Sequence, residues 1–399
     1  MYVQVFLLLT FLEKRKGIVP TDVHHDTDLL PPVTIVVPCW NEEKTVAKTV
    51  ESLLSLDYPK DKLHILLVDD GSEDTTWNEM QKFAGVPQIE MIRKENGGKH
   101  TAMNIGIQNS KTPFIGCLDA DAFTEPDALK KIMVHFDDPT VMAVSPSILA
   151  YKPDNFIQKA QNVQYDMAVF IKKLLGMING IHVTPGPFSF YRREVFEEFG
   201  LYRKAHSAEE TEIAYRMQTN KMKIAQCHDA FLYTVVPKTL KTLFKQQLRW
   251  MYGFINNTID YRKYLFKKEY GTFSMFTVPW GTLGALSVII FFIISSISII
   301  SRVIKYAQQL LVTDFFVPSL SSRLVIDPFF IDTRPLTFIT ILLTISVFGM
   351  VLAGMRMRQK QPLPNISFVY FLFIYSVVGP FWFLKALYNT LLSRETTWR

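Results

Sequence analysis

The chain has 399 residues and a formal net charge of +6, too small an excess to read as a nucleic-acid footprint; its basic residues cluster beside apolar segments, which suits anionic lipid headgroups better. Cys39, Cys117 and Cys227 show no C-x-x-C spacing and the eight histidines form no metal pattern, so the thiols read as reduced and structural, and His24-His25 as a solvated linker pair. No internal repeat or low-complexity tract is present.

Residues 1–12 are apolar and are followed by Lys14, Arg15 and Lys16, but they lack the basic start and the cleavage site of a signal peptide. Twelve residues are too few to span a bilayer. The run reads as an interfacial anchor, or as the cytoplasmic half of a span that begins upstream, with residues 1–30 forming anchor and linker. A soluble α/β region then occupies 31–235. It opens with a strand at 34–38 and a helix over 41–54, Asn41 serving as N-cap and Val46, Val50 and Leu53 sharing one face. A strand at 64–68 follows, too continuously apolar for a sheet with one wet face. A helix at 75–83, a strand at 89–92, a helix at 101–109 and a strand at 114–118 complete an alternation that implies a mainly parallel sheet covered on both sides.

Beyond the sheet, residues 155–177 carry Phe156, Ile157, Ala160, Val163, Met167 and Phe170 at helical spacing and read as an amphipathic interfacial helix. Residues 236–270 read the same way, with Leu240, Leu243, Phe244, Leu248, Met251 and Phe254 opposed by Lys238, Lys241, Lys245 and Arg249. Gln246, Arg249 and Trp250 share a face there, either looking into a site together or merely snorkelling and anchoring at a bilayer surface. The segment 271–399 holds apolar runs at 275–301, 336–355 and 366–388, each long enough to cross a hydrocarbon core, with internal glycine and proline that membrane helices tolerate. Arg262, Lys263, Lys267 and Lys268 before the first run, and Arg356, Arg358 and Lys360 between the second and third, place the α/β region in the cytoplasm of a multi-pass plasma-membrane protein. Residues 302–335 would then lie outside, where Asp314, Asp327 and Asp332 offset Arg302, Lys305, Arg323 and Arg334.

Ligands of such sheets bind outside the carboxyl ends of the strands, and every candidate chemical group falls there. The first strand delivers Trp40 and Glu42, the second Asp69 and Asp70, and the fourth Asp119-Ala120-Asp121. Two carboxylates separated by one residue leave the strand end together, and a turn presenting both to a hard divalent cation is expected. Asn96-Gly97-Gly98-Lys99-His100 offers close backbone approach and a lysine for phosphate. A dinucleotide-binding reading fails at the first turn, where Pro-Cys-Trp-Asn-Glu replaces the required glycines.

These residues resemble the family-2 glycosyltransferases of GT-A fold, and more narrowly the membrane-embedded, processive-type synthases of chitin, hyaluronan, poly-N-acetylglucosamine and cellulose. The resemblance covers residues 33–255 by motif and rests on Gln246-Gln247-Leu248-Arg249-Trp250, matching Q-x-x-R-W, on Asp119-Ala120-Asp121, matching D-x-D, and on Gly186-Pro187-Phe188-Ser189-Phe190-Tyr191-Arg192, which is similar to an acceptor-side segment. It implies a nucleotide-sugar-binding GT-A domain with interfacial helices and a C-terminal transmembrane bundle. By the same resemblance Trp40 flanks the nucleobase, Glu42 with Asp69 or Asp70 holds uridine, Lys99 approaches the diphosphate, and Asp119 and Asp121 serve ribose and a Mg2+ or Mn2+ ion, Asp121 directly. Gln246 and Arg249 bind the nucleotide sugar, Arg249 at the departing diphosphate, and Trp250 and Tyr191 meet the acceptor. In Ala208-Glu209-Glu210-Thr211 relatives carry an aspartate as general base where this chain has Glu210, one methylene longer, with Glu209 and Glu212 as neighbouring alternatives.

The implied activity is inverting, metal-dependent transfer from a UDP-hexose or UDP-N-acetylhexosamine to a growing polysaccharide. The partners are the donor, a polysaccharide or lipid-linked acceptor, the bilayer and an unassigned export partner. Single transfer to a polyprenyl phosphate or glycolipid, and a non-catalytic membrane scaffold, stay open. Cellulose synthase is disfavoured because no F-x-V-T-x-K segment follows Trp250.

Overall fold

Alternation decides which way the first strand faces. Ile35, Val37 and Cys39 pack on one side and Val36 on the other, and all four are fully buried, so this strand is covered on both faces. The computed structural model describes residues 2–17, 21, 23, 29–184, 186–312, 335–358 and 366–394; His24-His25 and most of the 302–335 loop lie outside them. The elements begin with α1 (Tyr2–Lys14), β1 (Val33–Cys39), α2 (Val46–Leu54), β2 (Leu63–Asp70), α3 (Thr76–Gln81), β3 (Ile89–Lys94), α4 (Lys99–Asn109), β4 (Phe114–Cys117) and β5 (Ala122–Thr124). They continue with α5 (Ala128–Val134), β6 (Val141–Ala150), α6 (Phe156–Met177), β7 (Ser189–Arg192), α7 (Glu194–Phe199), α8 (Glu209–Thr219), β8 (Lys223–Thr234) and α9 (Leu240–Asp260). The last four are α10 (Val278–Val312), α11 (Pro335–Met357), α12 (Ile366–Val377) and α13 (Gly379–Leu391).

One sheet runs in the order β3-β2-β1-β4-β7-β6-β8-β5. The first four strands are parallel, as the β-α alternation implies. Beyond β4 the sheet becomes mixed: β7 is antiparallel to β4 and β6, β6 and β8 are parallel, and β5 is antiparallel to β8. Helices α2, α3 and α5 cover one face through Val50, Leu53, Met80 and Ile132, and α4, α7 and α8 the other through Met103, Phe196 and Met217. The three cysteines are buried and unpaired.

Asn41 does not cap the first helix, which starts five residues later. It takes a positive φ of 55°, its backbone N–H donates to Ser72 Oγ at 3.0 Å, and its Oδ1 accepts from Glu73 N at 2.9 Å. Asparagine tolerates this backbone, and the residue ties the β1 loop to the β2 loop.

The helix expected at 155–177 begins with a capping box from Asn155 and Gln158. It lies between the sheet and the apolar helices, with Ile157, Ala160 and Val163 packed against Val351 of α11 and Phe368 and Phe371 of α12. The N-terminal run is helical and docks on the same element: Leu7 packs on Phe170 and Leu174, and Lys14 Nζ donates to Met177 O at 2.8 Å. Three stretches, Phe273–Val312, Thr337–Met357 and Ile366–Leu391, are long and apolar enough to cross a membrane. The third is broken at Val378 before Gly379-Pro380, where proline has no N–H for the helix ladder.

Helix α11 meets α6 through Gly354, where a Cβ would fall 1.8 Å from the backbone oxygen of Asp166. One turn on, Arg358 Nη1 reaches Asp166 Oδ1 at 3.0 Å. Gly354→Ala must push the two helices apart, an overpacking cost of about 1–3 kcal/mol. We expect a lower melting temperature for the detergent-purified variant; an unchanged melt would mean that the helices do not touch here.

Candidate active site

The strand order reverses at β1 and β4, the place where sheets of this kind leave a crevice. A cavity of about 790 Å³ opens there and is lined by Trp40, Glu42, Asp70, Lys99, Asp119, Asp121, Glu210, Gln246, Arg249 and Trp250. These candidate residues thus converge, although they come from separate stretches of chain.

Asp69 and Asp70 end β2 on opposite faces, as the strand period requires. Asp69 is turned away from the cavity, fully buried, 3.0 Å from Arg93 Nε and accepting from Ser72 N at 3.1 Å. Of the alternatives for uridine, only Asp70 borders the cavity. Its carboxylate accepts the N–H groups of Gly97 at 3.0 Å and Gly98 at 2.9 Å and pairs with Lys94. Asp70 therefore holds the glycine loop, whose Gly98 sits at φ 91°, and this loop launches α4 with Lys99 in its first turn. Helix α4 begins two residues earlier than the apolar pattern suggests, because the loop itself forms the helix start.

Chain reversal after β4 gives the expected turn: Leu118 N donates to Val36 O at 3.0 Å and Ala122 N to Asp119 O at 3.0 Å. Between them Asp119 and Asp121 reach the cavity. Lys99 Nζ lies 2.6 Å from Asp119 Oδ1 and 2.6 Å from Glu210 Oε1. Gly186 closes over this group, since a Cβ there would fall 2.5 Å from Glu210 Oε1 and 2.7 Å from Lys99 Nζ. Burial alone would lower the Lys99 ammonium, but the charges of Asp119 and Glu210 overcome it and hold the pKa well above the ordinary value. Burial would likewise raise Glu210; Lys99, and further off Arg249, instead hold its carboxyl below the usual range. Glu209 faces the ring of His100 at 3.9 Å, an imidazole that burial holds below its ordinary pKa. Burial, then the charge of Glu210, push Glu209 up to about 7.

The far wall comes from α6 and α9. Gln161 Nε2 donates to Gln246 Oε1 at 2.5 Å, Gln164 and Gln247 exchange amide bonds at 3.2 and 3.4 Å, and Arg249 Nη1 donates to Ser207 O at 3.3 Å. Arg249 and Trp250 therefore face the cavity and not lipid alone. Tyr191 does not reach it: its strand lies between β4 and β6, its ring is buried on the sheet face that packs against Phe196 and Tyr202, and its hydroxyl donates to Thr184 Oγ1 at 2.9 Å. The cavity also takes Gln164, Tyr165, Ala168 and Lys172 from α6 and His182 from the loop after it, residues the motifs do not name. Their signal was present as a polar stripe with a helical repeat on the side of α6 away from its apolar face.

Among the described residues, no three His, Cys, Asp or Glu side chains are grouped to hold a metal. Asp119 and Asp121 supply two carboxylates, which is the donor set of a Mg2+-type ion that takes its other ligands from phosphate and water. The residues fit such an ion.

Residues 34–200 match the family described as glycosyl transferase family 2. The chain carries a family 2 glycosyltransferase domain. This glycosyltransferase is 25% identical over 324 residues, 79% of its length and 74% of the other's, to a poly-beta-1,6-N-acetyl-D-glucosamine synthase of Staphylococcus epidermidis. It is 26% identical over 231 residues, 57% of its length and 56% of the other's, to the synthase of the same name from Staphylococcus aureus strain COL. Among solved structures, a mannosyltransferase of Pyrobaculum calidifontis, in complex with GDP-Man and Mn2+, superimposes with a TM-score of 0.60 at 17% identity, covering 98% of this chain and 95% of that one. That likeness is one of fold, and it runs over nearly the whole of both chains.

The Glu209 carboxyl ionises near pH 7, in the range where the enzyme would work. Below that pH it is neutral. Above it a second negative charge stands beside Glu210 and opposes an anionic donor, so kcat/KM for nucleotide release should fall as pH rises through about 7. Glu209→Gln should remove this inflection from a pH 5–9 profile; a profile identical to that of the parent would detach Glu209 from the site.

Proposed function

We propose that the chain moves a sugar, with inversion, from a nucleotide sugar to a growing polysaccharide at the membrane, the donor being a UDP-hexose or UDP-N-acetylhexosamine. The observation that carries this reading is Lys99, whose ammonium touches both a D-x-D carboxylate and Glu210. A donor diphosphate arriving beside Asp119 and Asp121 competes for that ammonium. As Lys99 turns to phosphate, Glu210 loses the charge that holds its pKa down and becomes a stronger base while buried. Glu210 then takes the proton of the acceptor hydroxyl as its oxygen bonds to the anomeric carbon. The bond from that carbon to the diphosphate oxygen breaks, and the electron pair leaves with the nucleotide, met by Lys99 and Arg249. Such preorganised charge is commonly the largest catalytic contribution.

Mg2+ or Mn2+ held by Asp119 and Asp121 would add charge neutralisation at the diphosphate. The mannosyltransferase of the same fold, with its nucleotide sugar and Mn2+, is consistent with this. Trp40 and Glu42 flank the nucleobase end, and Trp250 stacks on the acceptor sugar. Similarity to poly-N-acetylglucosamine synthases over most of both chains supports a polysaccharide product. The basic residues at Arg262–Lys268 and around Arg356 support a cytoplasmic active site on a multi-pass membrane protein. A second reading, transfer to a lipid-borne acceptor, is favoured by one observation: the cavity extends to Gly281 and Ala285 of α10 and Phe383 of α13.

Asp121→Ala and Glu210→Gln should each lower nucleotide release from donor by about 10²–10⁴-fold in isolated membranes without loss of protein. Full activity in either variant removes that residue from its proposed role, and product length on a sizing gel separates polymer from single transfer.

A further inference from the structure

The cavity is electrostatically divided. Near β4 its cations are matched, Lys99 by Asp119 and Glu210. About two helical turns along α6 from Tyr165, which feels the charges of Asp121 and Arg249, Lys172 projects into the same cavity. Among the described residues no carboxylate pairs with it, and burial lowers its ammonium to about 8 with no opposing charge. His182 lines the same wall, with a buried Nδ1 that lacks a hydrogen-bond partner. Burial, then Lys172, hold its imidazole down at about 4, so the ring is neutral near pH 7 and can donate one N–H. Just ahead of α10, outside the cavity lining, Thr277 Oγ1 is a further buried group without a partner, close against Gly180. An ammonium partly withdrawn from water without a counter-charge is costly, and Lys172 and His182 are donors on one wall of the cavity that lack an acceptor.

The neighbouring walls say where that acceptor comes from. Gly281 and Ala285 belong to a stretch long and apolar enough to cross a membrane, as does Phe383, and all three line the cavity. The ligand's anionic group therefore lies at the end of the cavity next to the bilayer. It is not itself the nucleophile, because Glu210 is a carboxylate placed to remove a proton and an ionised phosphate has none to give. The rise of about 10 Å along α6 from Tyr165, which feels the charges of Asp121 and Arg249, to Lys172 leaves room for a sugar between the charged end of the cavity and this ammonium.

We propose that Lys172 and His182 bind the phosphate of a lipid-linked sugar phosphate whose sugar hydroxyl is the acceptor at Glu210. This rests on the glycosyl-transfer reading and names the acceptor on which transfer begins.

The test uses the full chain purified in detergent and a panel of UDP-N-acetylglucosamine, UDP-N-acetylgalactosamine, UDP-glucose and GDP-mannose. Two acceptors are compared with the donor that supports nucleotide release: dodecyl phospho-N-acetylglucosamine and the phosphate-free dodecyl β-N-acetylglucosaminide. The parent enzyme should show a KM about tenfold lower for the phosphate-bearing acceptor, the scale of one charge-assisted hydrogen bond. Lys172→Gln should bring the ratio of the two KM values to about one, and Lys172→Arg should keep the preference. Transfer to the phosphate-free acceptor shows that each variant is folded. Dodecyl phosphate should compete with the phosphate-bearing acceptor more strongly than inorganic phosphate does. A ratio near one in the parent, a preference surviving in Lys172→Gln, or equal competition by inorganic phosphate overturns the proposal while leaving glycosyl transfer intact. No nucleotide release from any donor in the parent overturns both.

Discussion

One ammonium group holds the active site together. Lys99 stands within 2.6 Å of Asp119 and of Glu210, and these carboxylates come from different parts of the chain: the turn after β4 and the start of α8. Remove the lysine, and two half-buried like charges face each other in the cavity, with Arg249 further off. The surrounding backbone serves this contact. Asp70 clamps the glycine loop that begins α4, and Gly186, with no side chain, lets the loop before β7 pass over the triad. Glu210, the proposed base, is thus neutralised at rest by Lys99, and on the proposed reading base strength and donor occupancy are coupled through that single side chain.

Some of this arrangement could be read from residue order because periodicity carries it. Strand ends at β1, β2 and β4 follow from apolar runs that stop at Trp40, Asp69 and Asp119, and the i, i+3, i+4 spacing of Gln246, Arg249 and Trp250 places them on one face of α9. Where the outcome turned on a single step of the strand period, the motif was not enough. Asp69 and Asp70 are equivalent as letters, but only one can face the cavity. In β7 Phe190 packs to one side of the sheet and Tyr191 to the other, which sends the tyrosine of the acceptor-like segment into the core. Strands β5 to β8 were hidden for other reasons: β5 and β7 have three and four residues, and β6 runs through Ser145-Pro146-Ser147, a triplet that reads as a turn. Pairing with distant strands overrides that local preference.

The polar side of α6 was concealed by its apolar side. A stripe of Ile157, Ala160 and Val163 looks the same whether it rests on lipid or on helices α11 and α12, and burial against Val351 and Phe368 is a tertiary fact. With that face occupied, the opposite one is committed to the cavity. Gln161 and Gln164 then fix the glutamines of α9, so the Q-x-x-R-W segment is oriented by a helix that no motif identifies.

Because α6 carries contacts to both ends of the cavity, its position sets the distance between the chemistry and the bilayer. Tyr165 lies under the influence of Asp121 and Arg249, and Lys172 lines the same cavity as Gly281 and Ala285 of α10. The helix is held from beneath by Gly354, which admits the backbone of Asp166, and by Arg358, which binds the Asp166 carboxylate at 3.0 Å. A buried ion pair of this kind contributes little net stability, since desolvation offsets its attraction, but it penalises every other register of α6 on α11. A slip of one helical turn would carry Lys172 about 5 Å along the cavity and separate Gln161 from Gln246. The apolar helices therefore do more than offer lengths that could cross a membrane: through α6 they hold the Lys172 end of the cavity at a fixed reach from Tyr165.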